Sequence, residues 1–383
     1  MSTDGVIPAL DGDRAFGSDV VDRVRAAGNV WALPGGELRL PRAFGFCRGV
    51  ERALEMLQEA VAQADRKGER LFLLGQIIHN PWVNEHFARR GVRILAREDL
   101  DRLSDFVGPD DCAVIPAFGV TPDVETRLAD IGCDVIDTTC GNVHRLWAWA
   151  KRAVADGRGV LIFGRPRHDE TMVTKSRLAA AGGAYVVVSD VEQARMFCEL
   201  VTGELPAGRF PEVFGPEATN ADSPAPFARL AQVSQTTMLY DETMRIRELV
   251  REAFERQFAA GGEQRLLFEP TVCRATQDRQ QAAVELCREG LHLAVVVGGF
   301  GSSNTRHLHE VARQYVPAVF IEDADAIRSS REVVAFDPET EGAQVVPTWL
   351  PEVRPARIGV LAGASSPEVV VGQVLERLAG FLS

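Results

Sequence analysis

CGNVHRLWAWAKRAVADGRGVLIFGRPRHDE, residues 140–170 of a 383-residue chain, carries a cysteine, a helix, an apolar strand and a polar loop in that order. Apolar residues recur at helical spacing after Cys140, a Gly-containing turn follows, and VLIF then reads as a short buried strand. The same order appears twice more. Cys47 precedes the amphipathic RGVERALEMLQEAV and then LFLLGQIIHN; Cys273 precedes RATQDRQQAAVELC and then LAVVVGGFGSSNT. A second strand and loop closes every unit: CAVIPAFGVTPDVE, RLAQVSQTTMLYDE and IGVLAGASSPEVVV, with Thr121, Thr236 and Thr237, or Ser365 and Ser366 ahead of another helix.

Two units then run through a strand into the next cysteine, DVIDTTC and LLFEPTVC, whereas the matching LRLPRAFGFC lies near the start of the chain. The repeat is therefore circularly permuted, and the two ends of the chain are expected to lie close together. The division is a segment 1–39 ahead of the repeat, one unit of 40–47 plus 273–383, one of 48–140, and one of 141–272 with a Pro/Gly-rich insertion at about 203–226. Alternating strands and helices predict α/β units with parallel sheets, whose ligands collect beyond the carboxyl ends of the strands. Three such units about a pseudo-threefold axis would bring Cys47, Cys140 and Cys273 to one point.

Composition narrows the function classes. With 42 basic and 54 acidic residues the net charge is −12, which opposes a surface built for nucleic acid or anionic lipid. No apolar run approaches a membrane span and the N-terminus lacks an export pattern, so a cytoplasmic protein is expected. Seven cysteines without a CxxC pair argue against a disulfide framework and against zinc held by close ligand pairs. Cys112, Cys133, Cys198 and Cys287 fall in or beside strand-like and helical runs and read as small apolar residues. Cys47, Cys140 and Cys273 each sit at a helix start, where the dipole favours a thiolate. Soft thiolate sets suit zinc, copper(I) or an iron–sulfur cluster, the alternative being buried structural cysteines. A cubane on three cysteines would keep one iron without a protein thiolate. GGFGSSN, residues 298–304, matches neither dinucleotide nor P-loop patterns, but its glycines and hydroxyls can form an anion nest or serve as turn and cap residues. Glu170, two residues beyond His168, can supply a proton if it is buried, and is otherwise an ordinary solvent-facing glutamate.

GFCRGVERA, LGQIIHNPWV, FGVTPDV, DTTCGNV, RHDE, VSQTTM, CRATQDRQ, GSSNT and AGASSP, in this order from Phe44 to Pro367, together resemble the IspH/LytB family of iron–sulfur reductases. The resemblance implies a trefoil of three α/β units around a central [4Fe–4S] cluster with one iron lacking a protein thiolate. Cys47, Cys140 and Cys273 would be its ligands. His79, His168, Ser302, Ser303, Asn304 and Ser365 would bind a diphosphate, while Glu170 would deliver protons with Thr236 and His168 at the substrate hydroxyl. The implied reaction is reductive dehydroxylation of 4-hydroxy-3-methylbut-2-enyl diphosphate to isopentenyl and dimethylallyl diphosphate in isoprenoid biosynthesis. Electrons would come from a ferredoxin or flavodoxin. Three positions depart from the family: Phe118 replaces a histidine, Gly141 replaces a proline, and Asp169 replaces the proline of an HPE motif, adding negative charge beside the anion site. They leave open a paralogue acting on another allylic alcohol, and a non-catalytic cluster sensor is a further alternative.

Overall fold

The structure is a computed structural model and describes residues 15–258 and 261–383. It divides into two compact units, residues 1–47 with 278–383 and residues 48–277, and the chain crosses between them within the Arg274–Cys287 helix.

In the first unit, a five-stranded sheet runs Val30–Leu33, Gly36–Arg39, Ala356–Ala362, Leu293–Val297, Ala318–Ile321. Only the Val30–Leu33 strand is antiparallel to its neighbour; the other four are parallel. LAVVV at 293–297 is buried at every position, as a parallel strand covered on both faces requires. Residues 30–39, expected to precede the repeat, join this sheet instead: Leu38 pairs with Ile358 and is fully buried. The strand stops at Arg39, short of the cysteine, as Leu40 and Pro41 leave the ladder. Phe16 O accepts from Val369 N at 3.0 Å and Gly35 N donates to Leu382 O at 2.7 Å. The early chain is thus bonded to both ends of the C-terminal helix. Residues 1–14 of the N-terminal segment lie outside the described residues.

The second unit holds two four-stranded sheets, both entirely parallel. One runs Arg93–Ile94, Leu71–Leu73, Cys112–Ile115, Asp134–Asp137; the other runs Tyr185–Val188, Gly159–Phe163, Leu230–Ser234, Leu266–Phe268. Numbered by order of appearance after the cysteine, both sheets read 2-1-3-4. So does the parallel part of the first unit, with Gly36–Arg39 as its displaced fourth strand. The helix Gly141–Ala155 buries Val143, Leu146, Trp147, Ala150 and Ala153, the stripe that its sequence spacing predicts.

The Pro/Gly-rich stretch 203–226 is more than a linker. Its Phe210 and Phe214 are buried with ring centroids 5.3 Å apart, and Phe210 stacks at 5.9 Å on Phe227, which in turn lies 5.6 Å from Phe197. Aromatic residues inside a polar stretch thus seal the core under the Val191–Thr202 helix. Phe210→Ala is expected to cost about 3–5 kcal/mol in urea unfolding; a loss under about 0.5 kcal/mol would mean that the stretch is a surface loop.

Candidate active site

Among the described residues, Glu170 is the carboxylate with the most confined surroundings. The Gly159–Phe163 strand ends in a loop whose His168 caps the Asp169–Ala180 helix, its Nδ1 accepting from Glu170 N at 3.3 Å. This places Glu170 in the first helical turn, pointing inward, with 1% of its surface exposed. Its Oε1 accepts from Thr236 N and its Oε2 from Thr236 Oγ1, both at 2.6 Å. Burial pushes the carboxyl up to about 7, against the opposing pull of the two Thr236 hydrogen bonds. At neutral pH the group is therefore poised between acid and carboxylate, the condition for efficient proton transfer. Gln235 fixes the threonine loop, its Oε1 accepting from Arg165 N and Thr171 Oγ1, each at 3.1 Å.

Cys273 adjoins this pair. Its N–H donates to Thr236 O at 3.0 Å, and its Sγ lies 3.1 Å from Thr276 Oγ1 and accepts from Thr276 N at 3.4 Å. Cys140, the N-cap of the Gly141–Ala155 helix, donates its N–H to Ala117 O at 3.0 Å. Beside it, Gly119 has a φ of +78°, and a Cβ there would meet Trp147 at 2.2 Å, so only glycine allows the Phe118–Val120 turn. Trp147 Nε1 donates to Thr174 Oγ1 at 3.2 Å, and Thr174 Oγ1 to Glu170 O at 2.7 Å, tying this helix to that of Glu170.

His79 and His168 meet on the same side of this unit, ring centroids 5.1 Å apart. Phe118 stacks on His79 at 4.3 Å, and His79 Nε2 lies 2.8 Å from Asp169 Oδ2. Asp169 Oδ1 pairs with Arg97, a residue that the sequence reading missed because it lies in no motif. Burial, then the charge of Arg97, lower His79 to about 4, so its ring is neutral and donates to the Asp169 carboxylate. The negative charge that Asp169 was expected to bring is present and is paired with Arg97.

The first unit gathers the remaining polar residues. Ser302 caps the Ser303–Arg313 helix; its Oγ accepts from Thr305 N at 3.3 Å and lies 3.0 Å from Ser365 Oγ. Asn304 Oδ1 accepts from Ala364 N at 3.0 Å, and Ala364 O accepts from Cys47 N at 3.4 Å. Ser303 is buried at the first helical position. A Cβ on Gly298, whose φ is +152°, would lie 2.5 Å from Ser366 Oγ, so the close approach of the two loops needs a glycine. Ser302 and Asn304 thus act as cap and loop-tying residues at the N-terminus of an eleven-residue helix, the second of the two roles that their sequence left open.

The three cysteines suit a thiolate-bound group. Each directly precedes a helix and is partly exposed, whereas Cys112, Cys198 and Cys287 are buried with thiols pushed up to about 11, 12 and 11; Cys133, expected to be buried with them, is partly exposed. The donation from Thr276 N to Cys273 Sγ favours the ionised sulfur. Among the described residues, no three His, Cys, Asp or Glu side chains converge as ligands of a single ion do.

The model of the LytB protein family matches residues 38–379. This chain belongs to the LytB family. A relative from Thermosynechococcus vestitus, named 4-hydroxy-3-methylbut-2-enyl diphosphate reductase, is 33% identical over 369 residues, spanning 95% of this chain and 89% of its own. One of the same name from a Synechococcus strain is 34% identical over 372 residues, 96% of this chain and 91% of its own. The LytB fold is also found in two solved structures. One, of (E)-4-hydroxy-3-methyl-but-2-enyl diphosphate reductase, has a TM-score of 0.54 at 24% identity, covering 90% of this chain and 99% of its own. The other, of a diphosphate reductase from Plasmodium falciparum, has a TM-score of 0.65 at 20% identity, covering 89% of this chain and 87% of its own. The chain is an oxidoreductase of the LytB type. Among its described residues no helix is long and apolar enough to cross a membrane.

The Glu170 environment sets a pH dependence. Its folded value near 7 exceeds the ordinary 4.5, so the folded chain holds a proton that the unfolded chain has released. The stabilisation is complete below about 4.5 and is lost as pH rises through 7. Relative to wild type, Glu170→Gln should therefore gain about 3 kcal/mol between pH 4.5 and 8 in urea unfolding. A constant difference across that range would place the carboxyl at its ordinary value.

Proposed function

We propose that this chain reduces 4-hydroxy-3-methylbut-2-enyl diphosphate to isopentenyl and dimethylallyl diphosphate in isoprenoid biosynthesis. The observation that carries the reading is the buried Glu170, held by both the amide and the hydroxyl of Thr236 and poised near neutrality. An acid of this kind serves a step in which a hydroxyl leaves as water. The substrate follows from relatives at 33–34% identity that bear this name across nearly the whole chain.

Cys47, Cys140 and Cys273 would ligate a [4Fe–4S] cluster with one iron lacking a protein thiolate. When bound, such a cluster supplies electrons and a Lewis-acidic iron. The chain's own groups do the rest. Ser302, Ser303, Asn304 and Ser365 offer hydroxyl and amide donors for the diphosphate, and His79 and His168 add ring nitrogens. With Glu170 ionised, Thr236 Oγ1 donates to its Oε2; with Glu170 protonated, that hydrogen bond would reverse, Oε2 giving its proton to Thr236 Oγ1 as the threonine passes its own to the leaving oxygen. His168 Nδ1 accepts from Glu170 N and so fixes where the Glu170 helix begins.

The shared 2-1-3-4 strand order supports reading the chain as three permuted units, 40–47 with 273–383, 48–140 and 141–272, arranged as a trefoil around the cluster. Electrons would come from a ferredoxin or flavodoxin in the cytoplasm. A cluster sensor has no use for a proton-holding acid, and the relatives' shared name disfavours a different alcohol.

The test is reductant consumption by anaerobically purified, cluster-reconstituted protein given the diphosphate and reduced viologen. Wild type should form five-carbon diphosphates, and Glu170→Gln should lose about 10²–10⁴ in kcat with the cluster spectrum intact. Unchanged turnover in the variant would remove Glu170 from the proton path. An intact cluster that ignores the substrate would refute the reading.

A further inference from the structure

Asp169 lies against His79, read above as a diphosphate ligand, and it is bound as a phosphate would be. Its Oδ2 faces His79 Nε2 at 2.8 Å while its Oδ1 pairs with Arg97 Nη2. One carboxylate spans two donors from separate segments, as two oxygens of one phosphate do. It is also the first residue of the twelve-residue helix that His168 caps, where the helix dipole favours an anion.

The surrounding groups decide what else could bind there. Phe118 covers a face of the His79 ring, so His79 can reach a ligand only through its in-plane N–H. A phenyl ring donates nothing in place of the family's histidine. Arg97 brings a permanent charge to this edge, and lies close enough to Lys175 to lower it, behind burial and the opposing pull of Glu217. Arg97 also reaches Met172 Sδ, so its guanidinium lies along the start of the Asp169–Ala180 helix. The Arg97 and Asp169 side chains are 50% and 37% exposed against 14% for His79, so the carboxylate can turn to water while the imidazole stays.

We propose that Arg97 is a substrate-binding residue that donates to the diphosphate, and that Asp169 occupies Arg97 and His79 until a substrate phosphate displaces it. The inference rests on the reductase reading for its substrate, but its chemistry is that of any diphosphate.

The test is isothermal titration of the full chain with inorganic pyrophosphate. Arg97→Gln should weaken binding at least tenfold, the size of a lost charge-assisted hydrogen bond. Arg97→Lys, which keeps the charge without the fork, should fall between, and Asp169→Asn should tighten binding several-fold by removing the competing charge. Thermal melts of each variant report folding separately. Wild type with no measurable affinity, equal affinity in wild type and Arg97→Gln, or weaker binding in Asp169→Asn would overturn the proposal. Arg97-dependent pyrophosphate binding without turnover of the allylic diphosphate would sink the reductase reading and leave this one standing. Turnover with a KM indifferent to Arg97 would do the reverse.

Discussion

A glutamate with 1% of its surface exposed and no cation bonded to it is a costly feature for any core. The fold keeps Glu170 there by closing a single residue around it. Thr236 offers its amide and its hydroxyl to the two carboxyl oxygens, both at 2.6 Å, and its carbonyl receives the amide of Cys273. Buried acid, hydroxyl and cysteine are thus joined through one residue, and a shift of the threonine loop would disturb all three. Gln235 explains why the loop does not shift: its side chain is bonded to Arg165 and Thr171 on one side and Thr237 on the other. The carboxyl is stabilised by two donors yet still titrates near neutrality, because burial outweighs them.

The sheets impose a second constraint. Every parallel strand delivers its loop to the same edge, so the groups that act chemically are placed by strand order rather than by chain proximity. In the first unit that order is completed by a strand from the opposite end of the sequence, Gly36–Arg39, which lies parallel beside Ala356–Ala362. Arg279 then donates to Gly45 O at 2.8 Å and to Phe46 O at 2.9 Å, fixing the residues that lead into Cys47. The position of Cys47 thus depends on packing between residues more than two hundred apart in sequence.

Much of this was legible in the residues. The cysteine–helix–strand order of 140–170, met again at Cys47 and Cys273, announced parallel α/β sheets, and the displaced LRLPRAFGFC announced the permutation. Ser302 as a helix cap was one of two roles its loop left open, and spacing alone left Glu170 an ordinary solvent-facing glutamate unless buried. What stayed hidden is non-local. Nothing in GELPAGRFPEVFGPEATNADSPAP says that Phe214 will meet Phe197 or that Phe210 will stack on Phe227, because the polar residues around them mask the pattern. Arg97 lies in an unremarkable charged run, RED, and gains meaning only when folding sets it against Asp169. Residues 30–37 lack the repeat's motifs, and the pairing of Gly36–Arg39 depends on a partner at the far end of the chain.

The account turns on the protonation of Glu170, which infrared difference spectroscopy reads directly. A pH titration should show a carboxylic-acid carbonyl band in a dry environment that disappears with a midpoint near 7 and is missing from Glu170→Gln. A band that disappears near the ordinary 4.5, or one that persists in the variant, would contradict the account.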